Sequence, residues 1–205
     1  MTLRDGYHDV PPGKVASVVT YLEMTAPAAP RPVPEPKGIM LDRVERPGTD
    51  WYRDLFARVG GHDWLWFSRL NMAEEELRAI LHDPDVEVYA LMAGNLAVGL
   101  LELDFRAPGA CELAFFGVTR QLVGAGAGRF MMNAAIRLAW ARPIARFHVH
   151  TCTLDAPTAL PFYRRSGFVP TRQRIEIEDD PRLTGKLPLD AAPQVPIFRG
   201  DGVRS

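Results

Sequence analysis

The chain has 205 residues, 47% hydrophobic and 24% charged, enough for one α/β domain with extensions and unlike a disordered or fibrous chain. Its 24 basic and 25 acidic residues leave a net charge of −1, without the basic excess that accompanies nucleic-acid binding. No nucleic-acid partner is expected.

From the N-terminus, Met1 to Pro12 carry charge, histidine and proline in place of an apolar leader. No later segment approaches the roughly 20 apolar residues that cross a bilayer. A cytoplasmic protein without membrane partners is expected. Lys14 to Met24, with Val15, Val18, Val19, Tyr21 and Leu22, reads as a strand. Pro27, Pro30, Pro32, Pro34 and Pro36 cannot donate ladder hydrogen bonds, so Ala26 to Lys37 reads as an extended surface connector. Ile39 to Arg46 is a predicted strand, and Asp50 to Val59 and Ala73 to Leu81 are predicted helices around the aromatic segment Trp64 to Phe67. Asn71, with Glu74 three residues on, is the predicted cap of the second helix.

Three strands follow, Val86 to Met92, Leu96 to Phe105 and Cys111 to Val118, separated by the turn signals Gly94-Asn95 and Pro108-Gly109. They read as an antiparallel meander. A helix from about Gly128 to Trp140, a strand from Arg146 to Cys152, a short helix ending near Ser166 and a strand from Phe168 to Ile177 complete the pattern. The class is α/β with a mixed sheet whose central crossover is parallel. Residues 1–38 are thus an N-terminal strand and proline-rich connector, 39–178 the main domain, and 179–205 a polar tail without predicted elements. Cys111 and Cys152 are too few for a disulfide scaffold and lie in apolar segments suited to free thiols in a reducing compartment.

Gly124-Ala125-Gly126-Ala127-Gly128 lies between an apolar strand and an amphipathic helix carrying Phe130, Met131, Ala134, Ala135 and Leu138. Residues without side chains admit a ligand close to the backbone, and a helix start offers free amides to a phosphate or pyrophosphate. The alternative is a tight turn that only allows close helix packing. No Lys-Ser or Lys-Thr follows Gly128, which excludes a Walker loop, and the preceding meander argues against a dinucleotide-binding βαβ unit.

The stretch Val118 to Gly128 resembles the GNAT acetyltransferase superfamily, whose acyl-CoA loop reads Arg/Gln-x-x-Gly-x-Gly/Ala after a strand ending in valine or leucine. Gln121 to Gly126 fits the literal pattern; the spacing from Val118 favours Gly126 and Gly128, with Val123 in place of the usual Arg/Gln. Thr153 to Phe168 is similar to the family's closing helix through Ala159, Tyr163, Gly167 and Phe168, with Asp155 and Ala156 where an Asn is frequent. The resemblance implies a GNAT-like acyl-CoA N-acyltransferase fold, acetyl-CoA as co-substrate and a small-molecule amine as acceptor. It implies cofactor contacts from Val118, Val123, Gly124, Gly126, Ala127, Gly128, Arg129, Asp155, Ala159 and Tyr163.

The resemblance also implies that Tyr163 protonates the departing thiolate, consistent with reference pKa values of about 10 for phenol and 8.5 for thiol. Glu112 is the candidate base, since strand alternation places it with Ala114 and Phe116 on one face. His148 and His150 share a strand face with Cys152 and are read as substrate-binding residues lining the pocket; three residues on one strand do not enclose a metal, and none is expected. Trp64, Trp66 and Phe67 are candidate acceptor contacts, the alternative being that they staple their segment to the core. A non-catalytic acyl-CoA-binding module of the same fold is the competing reading, and the oligomeric state, a homodimer included, stays open.

Overall fold

The computed structural model describes residues 4–200. Strands β1 (Lys14–Met24), β2 (Ile39–Arg43), β3 (Val86–Ala93), β4 (Leu96–Asp104), β5 (Ala110–Val118), β6 (Arg146–Cys152) and β7 (Val169–Asp179) form one sheet in the order β2-β3-β4-β5-β6-β1-β7. Helices α1 (Thr49–Phe56), α2 (His62–Trp64), α3 (Ser68–Asn71), α4 (Glu74–Leu81), α5 (Ala127–Ala139) and α6 (Ala159–Arg165) lie around it.

β3, β4 and β5 pair antiparallel as the meander predicts, while β5 and β6, joined through α5, pair parallel. β4 is buried on both faces. Leu101 and Leu103 pack with Met131 and Phe147 on the α5 side, and Leu100 packs with Tyr52, Leu55 and Phe56 on the other. Burying such side chains stabilises by about 1.5–3 kcal/mol each.

β1 sits inside the sheet, antiparallel to both β6 and β7, so residues 14–24 and 39–179 share one ladder system. The proline-rich connector that leaves β1 is fastened down. The Asn133 side chain accepts from the Arg31 N–H (3.2 Å) and donates to its carbonyl (2.7 Å), while the Arg31 guanidinium donates to the Arg165 carbonyl (3.1 Å).

Local boundaries differ from expectation in three places, each for a visible reason. The predicted strand Ile39 to Arg46 ends at Arg43, opposite Tyr89, with one further bond from the Val44 N–H to the Val88 carbonyl (2.9 Å), and Arg46 turns away at φ 50°. The predicted helix Asp50 to Val59 continues through a π-type turn, Ala57–Gly61, into α2, and Gly60 in that turn lies against Trp66, where a Cβ would come within 2.0 Å of the indole. Asn71 ends α3 instead of capping α4; Met72 is extended, and the Glu76 carboxylate accepts from the Ala73 N–H at 3.1 Å, making Ala73 the start.

The tail without predicted elements is organised around Arg182, which is buried, pairs with Asp180 at 2.7 Å and donates to the Ala191, Ala192 and Val195 carbonyls. Its Leu187, Ala191 and Ala192 pack on Leu65, roofing the aromatic segment.

Beneath that segment Glu102, fully buried, accepts from both Tyr52 and Arg69. Removing one partner of a buried ion pair strands the other charge, so Glu102→Ala should destabilise by about 3–5 kcal/mol. Tyr52→Phe, which deletes one hydrogen bond, should cost about 1–2 kcal/mol. Urea unfolding followed by circular dichroism checks the order; equal losses would count against a charge-based role.

Candidate active site

Parallel pairing between β5 and β6 covers only Ala110↔Arg146, Cys111↔Phe147 and Glu112↔His148. Beyond it β5 stays with β4 and β6 stays with β1, and the two strands separate. The departure coincides with a bulge: Leu103 lies opposite Leu113 but Glu102 lies opposite Phe115, leaving Ala114 unmatched. The extra residue reverses side-chain alternation. Phe115 therefore packs on the α1 side with Tyr52 and Phe56, while Phe116 joins Leu113 on the α5 side. The expectation that Glu112, Ala114 and Phe116 share one face is corrected accordingly.

The separation opens a cleft of about 930 Å³ lined from both sides of the sheet, by Phe116, Phe162 and Tyr163 on the α5 side and by Trp66, Phe115 and His150 on the other. Most of its wall is apolar, which sharpens the effect of each polar group that enters it.

At the α5 end, Val118, Val123, Gly124, Gly126, Gly128 and Arg129 all line the cleft, with Val123 68% exposed. Gly126 precedes the helix at φ 83°, a left-handed conformation that favours glycine, and a Cβ there would also meet Val33 of the connector at 3.1 Å. The helix start has no side-chain cap, and its first helical bond is Phe130 N–H to the Gly126 carbonyl at 3.0 Å. The amides of the first turn are thus available to an anion. Ala127 is fully buried and, unlike its glycine neighbours, does not line the cleft. Arg129 lies over the Phe162 ring (4.6 Å) and donates to Ser166 Oγ (3.0 Å). Its pKa is lowered, first by desolvation and then by the neighbouring Arg31 and Arg165, a cationic cluster suited to phosphates.

At the α6 end, Ala159 and Tyr163 line the cleft. Tyr163 is only 7% exposed and surrounded by Phe116, Phe162 and Phe168 rings, and burial pushes its phenol well above the ordinary range, so it holds its proton at neutral pH. Asp155 borders the cleft, but its carboxylate accepts from Trp66 Nε1 (2.9 Å), Thr151 Oγ1 (2.6 Å) and the Cys152 N–H (2.9 Å). Its visible work is to tie Trp66 to the start of the β6–α6 turn.

On the opposite side, Trp64 and Trp66 form one wall. Trp66 also packs against Phe56 and Phe115 at 5.5 Å between ring centroids, so it is both core and lining. Glu112 and His148 do not line the cleft. Glu112 instead pairs with His150 Nδ1 at 3.2 Å, and His150 is the member that faces the cavity. That hydrogen bond lowers the Glu112 pKa and raises the His150 pKa from 6.5, whereas desolvation lowers that of His148. The pair's contribution to stability is full between the ordinary carboxylate and imidazole values, and it is lost as pH falls through the depressed Glu112 value or rises through the raised His150 value. Donation from Nδ1 to Glu112 leaves Nε2 as the accepting nitrogen.

Sequence reasoning missed Phe115, Arg165, Thr151, Glu176 and Glu178. Only Arg165 had a local signal, its place beside Tyr163 in the closing helix. No three His, Cys, Asp or Glu side chains among the described residues converge as metal ligands, and no described helix is long and apolar enough to cross a membrane.

The mixed sheet thus opens where its two parallel strands part, beside a helix that starts at a glycine. Residues 66–180 match the family described as an acetyltransferase (GNAT) domain, more than half the chain, and the chain belongs to that family. Two solved structures carry the same fold: a functionally unknown conserved protein from Staphylococcus epidermidis (15% identity, TM-score 0.57, 82% of this chain) and a GCN5-related N-acetyltransferase from Sphaerobacter thermophilus (18%, 0.59, 83%). The chain spans 64% and 53% of their respective lengths. A putative GNAT acetyltransferase from Novosphingobium aromaticivorans is similar at 17% identity and TM-score 0.53, over 82% of this chain and 67% of its own. A search among curated proteins finds no match.

Gly128, unlike Gly126, has ordinary φ and open space where a Cβ would stand. Gly128→Val should therefore leave the melting temperature nearly unchanged while weakening CoA binding about tenfold or more through lost close approach. Calorimetric titration beside a thermal melt checks this, and unaltered CoA affinity would remove the loop from the cofactor site.

Proposed function

We propose that this chain transfers the acetyl group of acetyl-CoA directly to a primary amine of a small molecule, in the cytoplasm. The carrying observation is the cleft through the sheet: donor-type features lie at its α5–α6 side and a histidine and aromatic wall at the other, so two substrates can meet at the split. Acetyl-CoA supplies a thioester; the amine nitrogen bonds its carbonyl carbon, the C–S bond breaks, and the electron pair leaves on sulfur.

The chain's own groups divide the work. The uncapped start of α5, with Arg31, Arg129 and Arg165, fits the pyrophosphate and fixes the donor, converting an encounter into an oriented reaction. His150 Nε2, with Nδ1 held by Glu112, accepts the proton that the amine sheds, which recasts Glu112 as the group that orients the base. Tyr163 donates to the sulfur as negative charge develops there. Free-CoA release over a panel of amines tests the reading; CoA binding with no turnover on any amine would favour a binding module.

Tyr163→Phe keeps the ring and deletes the proton. It should lower kcat by about 10²- to 10⁴-fold with CoA affinity nearly unchanged. Near-normal kcat, with chemistry shown to limit the rate, would make Tyr163 a packing residue.

His150 must be neutral to accept a proton, and Glu112 holds its pKa above 6.5, so kcat/KM should rise with pH through that raised value. Glu112→Gln removes the carboxylate, so the acid limb of the profile should move to lower pH. A limb that stays in place would separate His150 from the proton transfer.

A further inference from the structure

We infer that β7 is the interface of a symmetric dimer, in which a second copy of this chain pairs with it antiparallel about Ile175 and extends the sheet across two subunits. β7 is an edge strand of 11 residues, every one of them exposed, among them Ile175 at 50% and Ile177 at 45%. A long exposed edge is a template for another strand unless something blunts it. Pro170 and the irregularity at Tyr21/Leu22 disturb only its N-terminal end, and from Arg172 to Asp179 the ladder with β1 is regular.

The open backbone groups can be identified. Val18 directs both its groups toward β6: its N–H donates to Thr153 Oγ1 at 3.1 Å and its carbonyl accepts from the Thr153 N–H at 3.1 Å. Ile175 lies opposite Val18, so this pair shares no ladder bonds and the Ile175 N–H and C=O point away from β1. The same parity applies to Gln173 and Ile177, and the Asp180 N–H bond to the Gly13 carbonyl (2.9 Å) agrees with it. Three consecutive outward residues are therefore centred on Ile175.

Side chains choose the occupant. Arg172 and Arg174 lie on one half of the strand and Glu176 and Glu178 on the other, all on the face where both arginines stack over Tyr21 (4.3 and 5.8 Å). Antiparallel pairing about Ile175 sets Arg174 against the partner subunit's Glu176 and Arg172 against the partner subunit's Glu178, and the two-fold axis repeats both contacts. Ile175 then meets its own copy, and Gln173 meets the partner subunit's Ile177. Sliding by one step in either direction opposes Arg174 to Arg174 or Glu176 to Glu176. Charges that usually guard an edge are here ordered to admit one partner, the same strand reversed, in one register. Glu176 and Glu178 also line the cleft, so each partner's arginines would border the other subunit's site.

Sedimentation of the full chain tests the assignment. Wild type should approach twice 22.8 kDa at about 100 µM and dissociate on dilution and with salt. The double variants Arg172→Glu/Arg174→Glu and Glu176→Arg/Glu178→Arg should each sediment as monomers, since like charges then oppose. Mixed in equal amounts they should form a heterodimer, because all four cross-strand pairs become opposite again. Ile175→Pro, which removes an outward N–H that β1 does not use, should be monomeric with a thermal transition near wild type. A monomeric wild type, variants that stay dimeric, or a mixture that fails to reassociate would each overturn the proposal.

Discussion

The site depends on one constraint, that β5 and β6 pair over three residues and then part. Two neighbours make the parting affordable in backbone terms. β4 holds β5 to its end, and β1 holds β6 from Phe147 to Cys152, so each strand keeps a ladder on its far side while the near side opens. The groups freed at the split are hydrogen-bonding backbone in an otherwise apolar cleft, and such groups demand partners. A ligand that enters can supply them. Without β1 between β6 and β7, β6 would be an edge strand with both sides unpaired beyond His148, and the cleft would lose its fixed wall.

The two sides of the cleft are mechanically joined by Asp155. Its three hydrogen bonds connect Trp66, on one wall of the cleft, with Thr151 and Cys152, at the turn leading into the helix of Tyr163. Trp66 is further wedged against Gly60 and Gly117, where a Cβ would come within 2.0 and 3.2 Å of its ring. Small residues on one side and a charge-assisted hydrogen bond on the other give the indole a single seat. The position of Trp66 in the cleft wall is thereby tied to that of the turn leading into the helix of Tyr163. This coupling spans 89 residues of sequence and has no local signature.

Where the signal is local, the sequence is readable. Period-two apolar patterns mark the meander, and the glycine run and the closing-helix residues Ala159 and Tyr163, both singled out from sequence, line the cleft from its two ends. Three features escape for physical reasons. The bulge at Ala114 carries no glycine or proline signal, because its geometry comes from a mismatch between partner strands, and it reverses the face of every later residue in β5. The place of β1 in the sheet is a long-range pairing choice that its own residues do not encode. Strand position points to Glu112, and only the structure shows that its carboxylate is engaged by His150 while the imidazole, not the carboxylate, faces the cavity.

In the proposed reaction Tyr163 must give up a proton in an environment that disfavours its ionised form. Burial lifts the phenol well above its usual value, which on its own would make it a worse acid. A thiolate formed against the same apolar wall is desolvated too, and desolvation raises its proton affinity in the same direction. The difference of about 1.5 units between the reference values of phenol and thiol is therefore approximately retained, while the hydrogen bond between them strengthens as water is excluded. In the proposed reaction, the aromatic cage of Phe116, Phe162 and Phe168 would favour proton transfer by holding phenol and thiolate in one low-dielectric environment, with the phenol protonated until sulfur charge develops.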